Sequence, residues 1–194
     1  MGHFFGVPVI ISSRLFKTPP RWRRAYFLSP RSLSKPVLSW VYEQGSLTER
    51  LKELYGKDFN VKVLMHEVRL PFSEEAFKLG LRRGEKALVR EVLLRAGKEP
   101  LILARSIVPR ETFLHADRRL LRLGNQPLGH VIFTRPDLRR QDLELSPLPT
   151  CREIKGISGG ERKRKSWGRR SLYTIGQDYP LLVSEFFLPS LLSR

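Results

Sequence analysis

Residues 87–109 read ALVREVLLRAGKEPLILARSIVP and constrain this chain more than any other segment. Two runs rich in Val, Ile and Leu flank a turn through Gly97-Lys98-Glu99-Pro100. That pattern predicts an antiparallel hairpin, with strands over 87–96 and 101–108. Side chains alternate faces along a strand, so Arg90 shares a face with Leu88, Val92 and Leu94. By the same count Arg105 shares a face with Leu101, Leu103 and Ile107. A guanidinium is a permanent cation, and one set among aliphatic neighbours needs a partner. Either each arginine closes an internal salt bridge, or it faces a small anion enclosed against the sheet. The pattern leaves both open.

The stretch LLVSEFFLP (181–189) poses the mirror-image problem. It reads as a buried strand, yet Glu185 falls on the face of Leu181, Val183 and Phe187. An unpaired carboxylate there is costly. Arg90 is the internal partner the pattern offers; an enclosed ligand is the other explanation.

The remaining elements follow from periodicity and punctuation. Residues 35–44 read as a short amphipathic helix. Ser46 with Glu49 three residues on forms a capping box, and Gly56 supplies the stop, so 47–55 is predicted helical. Residues 59–69 are predicted as a strand with Phe59, Val61, Val63 and Met65 on one face. A helical turn is expected at 74–80, a helix over 110–123 ended by Gly124, and another helix beginning at Pro127. Strands are expected at 138–145, 167–175 and 181–188. The sum is an α+β domain: an antiparallel sheet of about six strands covered by helices. Two helix starts bear on ligand binding, because first-turn amides lack intrahelical partners. The amides of Leu47 and Leu128 are therefore candidate donors to a carboxylate or hydroxyl.

Composition narrows the function classes. The formal net charge is +17, with much of it in the acid-free first 42 residues and in 152–170. That charge permits nucleic-acid binding, but zinc spacing, an RNA-recognition aromatic motif and a helix-turn-helix are all missing. The four histidines, His3, His66, His115 and His130, show no metal-ligand spacing. Cys151 is the only cysteine, which excludes an internal disulfide and fits a reducing compartment. No apolar run is long enough to span a membrane. Residues 1–20 are expected to be a poorly ordered extension, 21–194 the domain, and 146–166, rich in Pro, Gly, Ser and Lys/Arg, a long exposed loop.

An ordered set of blocks resembles the chorismate–pyruvate lyases of ubiquinone biosynthesis. These blocks are Trp40 to Leu51 (with GSLTERL), VREVLL at 89–94, ARSIVP at 104–109, LGNQPLGHVIF at 123–133, WGRRS at 167–171 and LLVSEFFLP at 181–189. The resemblance implies a cofactor-free, metal-free lyase that converts chorismate to 4-hydroxybenzoate and pyruvate. It also implies helical flaps over a buried ligand, a monomer, and a cytoplasmic setting without nucleic acid as partner. Mapped onto the blocks, it makes Arg90 and Glu185 the substrate-binding and catalytic side chains, and Leu47 and Leu128 the backbone contacts. Glu185 would move a proton or orient a hydroxyl. The rival readings are a non-catalytic small-acid sensor of the same fold and a nucleic-acid-binding protein driven by charge.

Overall fold

The computed structural model describes residues 13–16, 19–25, 33–148 and 166–193. Its centre is one antiparallel sheet of seven strands: β1 (Arg23–Arg24), β2 (Phe59–Arg69), β3 (Ala87–Ala96), β4 (Glu99–Val108), β5 (Arg139–Leu148), β6 (Ser166–Ile175) and β7 (Tyr179–Phe187). Their order across the sheet is β1-β5-β6-β7-β4-β3-β2. Tight turns join β3 to β4 and β6 to β7, the connection from β2 to its neighbour β3 carries a short helix (Ser73–Lys78), and β7 returns to pair with β4. The α+β expectation holds, with the two-residue β1 added at one edge.

Helices α1 (Lys35–Val41), α2 (Leu47–Tyr55), α3 (Ser73–Lys78), α4 (Leu128–Ile132) and α5 (Pro189–Leu192) complete the domain. Half of the predicted capping box starts α2: Ser46 Oγ accepts from the Glu49 amide at 3.3 Å, while the Glu49 carboxylate turns to Lys52 Nζ at 2.9 Å; Gly56 ends the helix with φ +53°. On one face of the sheet, two apolar clusters gather. One centres on Trp40, Leu51, Leu94 and Phe187, the other on Leu128, Ile132, Tyr173 and Val183. The opposite face carries Leu15, Phe16, Leu103 and Phe186 in one cluster and Met65, Val89, Ile107 and Leu182 in another.

Four expectations are corrected in detail. The helix expected over 110–123 breaks at Asp117, whose extended backbone (φ −158°, ψ 104°) separates a π-helical turn, Thr112–Ala116, from a 3-10 turn, Arg118–Arg122. The Asp117 carboxylate caps the second turn through the Arg119 amide at 2.9 Å, which the spacing of apolar residues does not register. Pro127 is extended and precedes α4, so Leu128 is the first helical residue. Both ends of the expected loop 146–166 are strand, because residues 146–148 finish β5 and Ser166 begins β6; 149–165, with Cys151, lie outside the described residues. Finally, Met65 packs on the face opposite Val61 and Val63. A β-bulge between Val63 and Met65 is the cause. Most of the expected N-terminal extension also lies outside the described residues, but Leu15 and Phe16 are buried against the sheet.

Among the described residues no helix is long and apolar enough to cross a membrane, and no group of three or more His, Cys, Asp or Glu is placed to hold a metal ion.

Candidate active site

The alternation argument puts Arg90, Val92 and Leu94 of β3 on the face that also carries Ala104 and Ser106 of β4, Val183 and Glu185 of β7, and Arg169 and Tyr173 of β6. The register agrees: Arg90 lies opposite Ser106, which lies opposite Val183, while Ala104 lies opposite Glu185, which lies opposite Arg169. Arg90 and Glu185 are therefore on different rows and two strands apart. The salt bridge the pattern offered between them is not formed.

The four residues singled out from the sequence meet in one cleft. Arg90 and Glu185 form part of its floor, and Leu47 of α2 and Leu128 of α4 lie in its roof. Each comes from a different element. The two roofing helices approach closely because position 129 is glycine. A Cβ there would stand 3.2 Å from Ser46 Oγ and 3.3 Å from Thr48 Oγ1. The enclosed free volume is about 40 Å³, far below the roughly 300–1,000 Å³ of small-molecule sites. A ring-sized ligand does not fit that space as it stands.

Arg90 is buried, at 2% exposure, and among the described residues has no carboxylate partner. One Nη donates to the carbonyls of Gly124 at 3.0 Å and Gln126 at 2.9 Å. The other contacts His66 Nδ1 at 3.3 Å, and among the described residues Nε has no partner. Burial pushes the guanidinium down to about 10, so it remains a cation at neutral pH with donor capacity unspent.

Glu185 is paired instead with Arg169. Arg169 Nε donates to Glu185 Oε2 at 2.5 Å. Burial works against the Arg169 charge, but Glu185, with smaller help from Tyr173 and Glu43, raises the guanidinium above its ordinary range. Arg169 Nη1 also donates to the carbonyl of Glu43 at 2.7 Å, between α1 and α2. The pair thus ties the floor of the cleft to the connection that leads into the roof. Glu185 Oε1 has no hydrogen-bond partner among the described residues, since the one bond is made by Oε2.

A model of the chorismate lyase family matches residues 19–194. The chain belongs to the chorismate lyase family. A Methylococcus capsulatus relative named "Probable chorismate pyruvate-lyase" is 48% identical over 161 residues, covering 80% of this chain and 96% of that protein. A relative of the same name from Nitrosospira multiformis is 36% identical over 173 residues, covering 84% and 92%. Among solved structures, the ligand-binding domain of a GntR-family transcriptional regulator from Bordetella bronchiseptica superposes with a TM-score of 0.53 at 21% identity. It covers 68% of this chain and 83% of that one. This last likeness is one of fold alone.

The sequence reading missed two cleft-side partners. Arg169 stands in WGRRS, and its position opposite Glu185 follows from the tight turn between Ile175 and Tyr179, which pairs those two residues and every later pair in step. Counting back along that hairpin would have found it. His66 could not be found this way, because the bulge in β2 shifts its register.

Proposed function

We propose that this chain is a cofactor-independent chorismate lyase, releasing 4-hydroxybenzoate and pyruvate, the step that opens ubiquinone biosynthesis. The observation that carries the reading is the convergence of Arg90, Glu185, Leu47 and Leu128 from four elements onto one covered cleft, in a chain of this family.

The chemistry makes modest demands. Chorismate is a dianion with an enolpyruvyl ether on a cyclohexadiene ring. Loss of the ring proton on the carbon beside the ether carbon, with cleavage of the ring C–O bond, gives the aromatic 4-hydroxybenzoate. The departing enolpyruvate takes up a proton to become pyruvate, so atoms and charge balance. Aromatisation supplies the driving force, and the protein must neutralise charge, orient the ether and C–H bonds, and move a proton.

Arg90 fits the first task. Its Nε is unpartnered, and a carboxylate reaching it makes a charge-assisted bond in a dry site. The Leu47 and Leu128 backbone amides supply further donors at the roof. With Arg90 and Arg169 positive and Glu185 negative, the cleft carries an excess of one positive charge toward a dianion. Closure of α2 and α4 supplies orientation and excludes water. Glu185, with Oε2 held by Arg169, presents Oε1 as the acceptor for the ring proton or as the anchor for the ring hydroxyl. The aromatic product keeps a carboxylate for Arg90, so its release, which needs the roof to lift, limits turnover. In this reading the functional unit is a monomer and its setting the cytoplasm, as the family resemblance implies.

The decisive experiment mixes purified protein with chorismate and follows 4-hydroxybenzoate by absorbance and pyruvate by a coupled assay. Equimolar release of both is expected. Glu185→Ala should lower kcat by about 10²–10⁴-fold, the usual contribution of a positioned acid–base group. Binding of 4-hydroxybenzoate without turnover of chorismate would instead assign the cleft to a small-acid sensor.

A further inference from the structure

We infer that His66 is a positioning residue for Arg90, delivered to the cleft side of the sheet by the bulge in β2. The inference rests on the proposed role of Arg90 as the ligand's cation.

The starting observation is register. Along Phe59–Val63, β2 pairs with β3 so that Val63 lies opposite Val92. Continued without interruption, that register would set Met65 opposite Arg90. The irregularity between Val63 and Met65 inserts one residue, so Met65 lies opposite Glu91 and His66 opposite Arg90. The faces shift as well. Val63 packs with the cluster on the cleft side, whereas Leu64 and Met65 both pack on the far side. Two successive residues on one face are the signature of a bulge, and such features re-aim a side chain. Here the residue re-aimed is His66.

The hydrogen bonds then fix what the imidazole does. A guanidinium can only donate and a carbonyl can only accept. His66 Nδ1 lies 3.3 Å from Arg90 Nη1, so Nδ1 accepts. His66 Nε2 lies 3.0 Å from the carbonyl of Leu121, so Nε2 carries the proton and donates. One ring thus joins the two elements with a single tautomer. Arg90 itself donates to the carbonyls of Gly124 and Gln126. Together His66 and Arg90 hold three carbonyls of the segment 121–126, which runs directly into Pro127 and Leu128 at the roof of the cleft. The guanidinium plane is held by the neutral ring on one side and by the segment on the other, with Nε left unpartnered. A neutral acceptor suits this place. A carboxylate opposite Arg90 would close the kind of ion pair that Arg105 makes with Glu75 and Glu91 on the other face of the sheet and compete with the ligand, whereas an imidazole orients the cation and leaves its charge unspent.

The test is a double-mutant cycle read by calorimetric titration with 4-hydroxybenzoate, alongside KM and kcat for chorismate. His66→Ala should raise Kd and KM by about three- to tenfold, the worth of one hydrogen bond and the orientation it gives, with kcat held or raised rather than lowered, because product release is the slow step. In the Arg90→Met background the same substitution should change Kd little, since the group it positions is gone. His66→Asn, whose Oδ1 can replace Nδ1 as acceptor, should restore affinity better than His66→Gln, which reaches toward Leu121. An unchanged Kd in His66→Ala, or an equal loss with and without Arg90, overturns the inference and leaves the lyase reading intact. The predicted cycle in a protein that never releases pyruvate from chorismate would sustain the inference and overturn the lyase reading.

Discussion

Arg90 and Arg105 occupy similar settings in the sequence, each a cation among aliphatic residues on one hairpin, and the two faces of the sheet treat them in opposite ways. On the far side Arg105 is closed into an ion network. Its Nε and Nη2 hold both oxygens of Glu75 at 2.7 and 2.9 Å, and Nη1 holds Glu91 at 2.6 Å. Ser13 Oγ and the Arg14 amide complete Glu91 at 2.6 and 2.7 Å. Its neighbour in the same layer, Arg170, is likewise divided between Glu144 and Glu74, each at 2.7 Å. Burial works against the Arg105 charge, yet Glu75 and Glu91 raise that guanidinium above its ordinary range. Burial pushes Arg90 down to about 10, with no acid among the described residues to offset it. The difference separates structural cations from a ligand-facing one: where every charge is answered the arginine stabilises the fold, and where one is left unanswered the cleft forms.

Three perturbations sharpen that contrast, from the largest effect to the smallest. Arg105→Met strips the cation from two buried carboxylates, and chemical denaturation should show a loss of about 3–5 kcal/mol, with the folded fraction retaining its KM. Arg90→Met removes a buried charge that has no acid partner, so unfolding free energy should fall by no more than about 1–2 kcal/mol, the cost of its carbonyl bonds. Equal losses in the two variants would erase the distinction between the faces. The smallest effect concerns Asp117, whose bonds to Arg119, with Arg135 also near, hold its carboxyl below the ordinary 3.8. A depressed carboxyl stabilises the fold above the unfolded-state value and loses that contribution as pH falls through the lower folded value. Because Arg119 is exposed, the acid-side loss of stability should be only slightly shallower in Asp117→Asn than in the parent, as seen in thermal melts between neutrality and pH 3.

Much of this contrast could be read in the chain beforehand, and particular residues show where reading stopped. Alternation alone placed Arg90 with Val92 and Leu94 and Glu185 with Val183 and Phe187, because strand period is local and robust. The Ser46 cap and Gly56 stop located α2, which brings Leu47 to the roof. Alternation could not say which acid answers which base, since that depends on strand order. Placing β7 between β4 and β6 puts Arg169 beside Glu185 and leaves Arg90 without a carboxylate. Nor could it see the bulge after Val63, one inserted residue that sends Met65 to the far face and His66 to Arg90. The break at Asp117 was hidden for a similar reason, as a side-chain cap overrode an apolar pattern suited to one continuous helix.

The central claim, that Arg90 is kept free of acids so that a ligand carboxylate can take it, is tested most directly by calorimetric titration of 4-hydroxybenzoate into the parent protein and Arg90→Met. The account predicts saturable one-to-one binding by the parent, weakened about 10–100-fold in Arg90→Met, as the loss of a charge-assisted hydrogen bond implies. Equal affinity in the two proteins would contradict it.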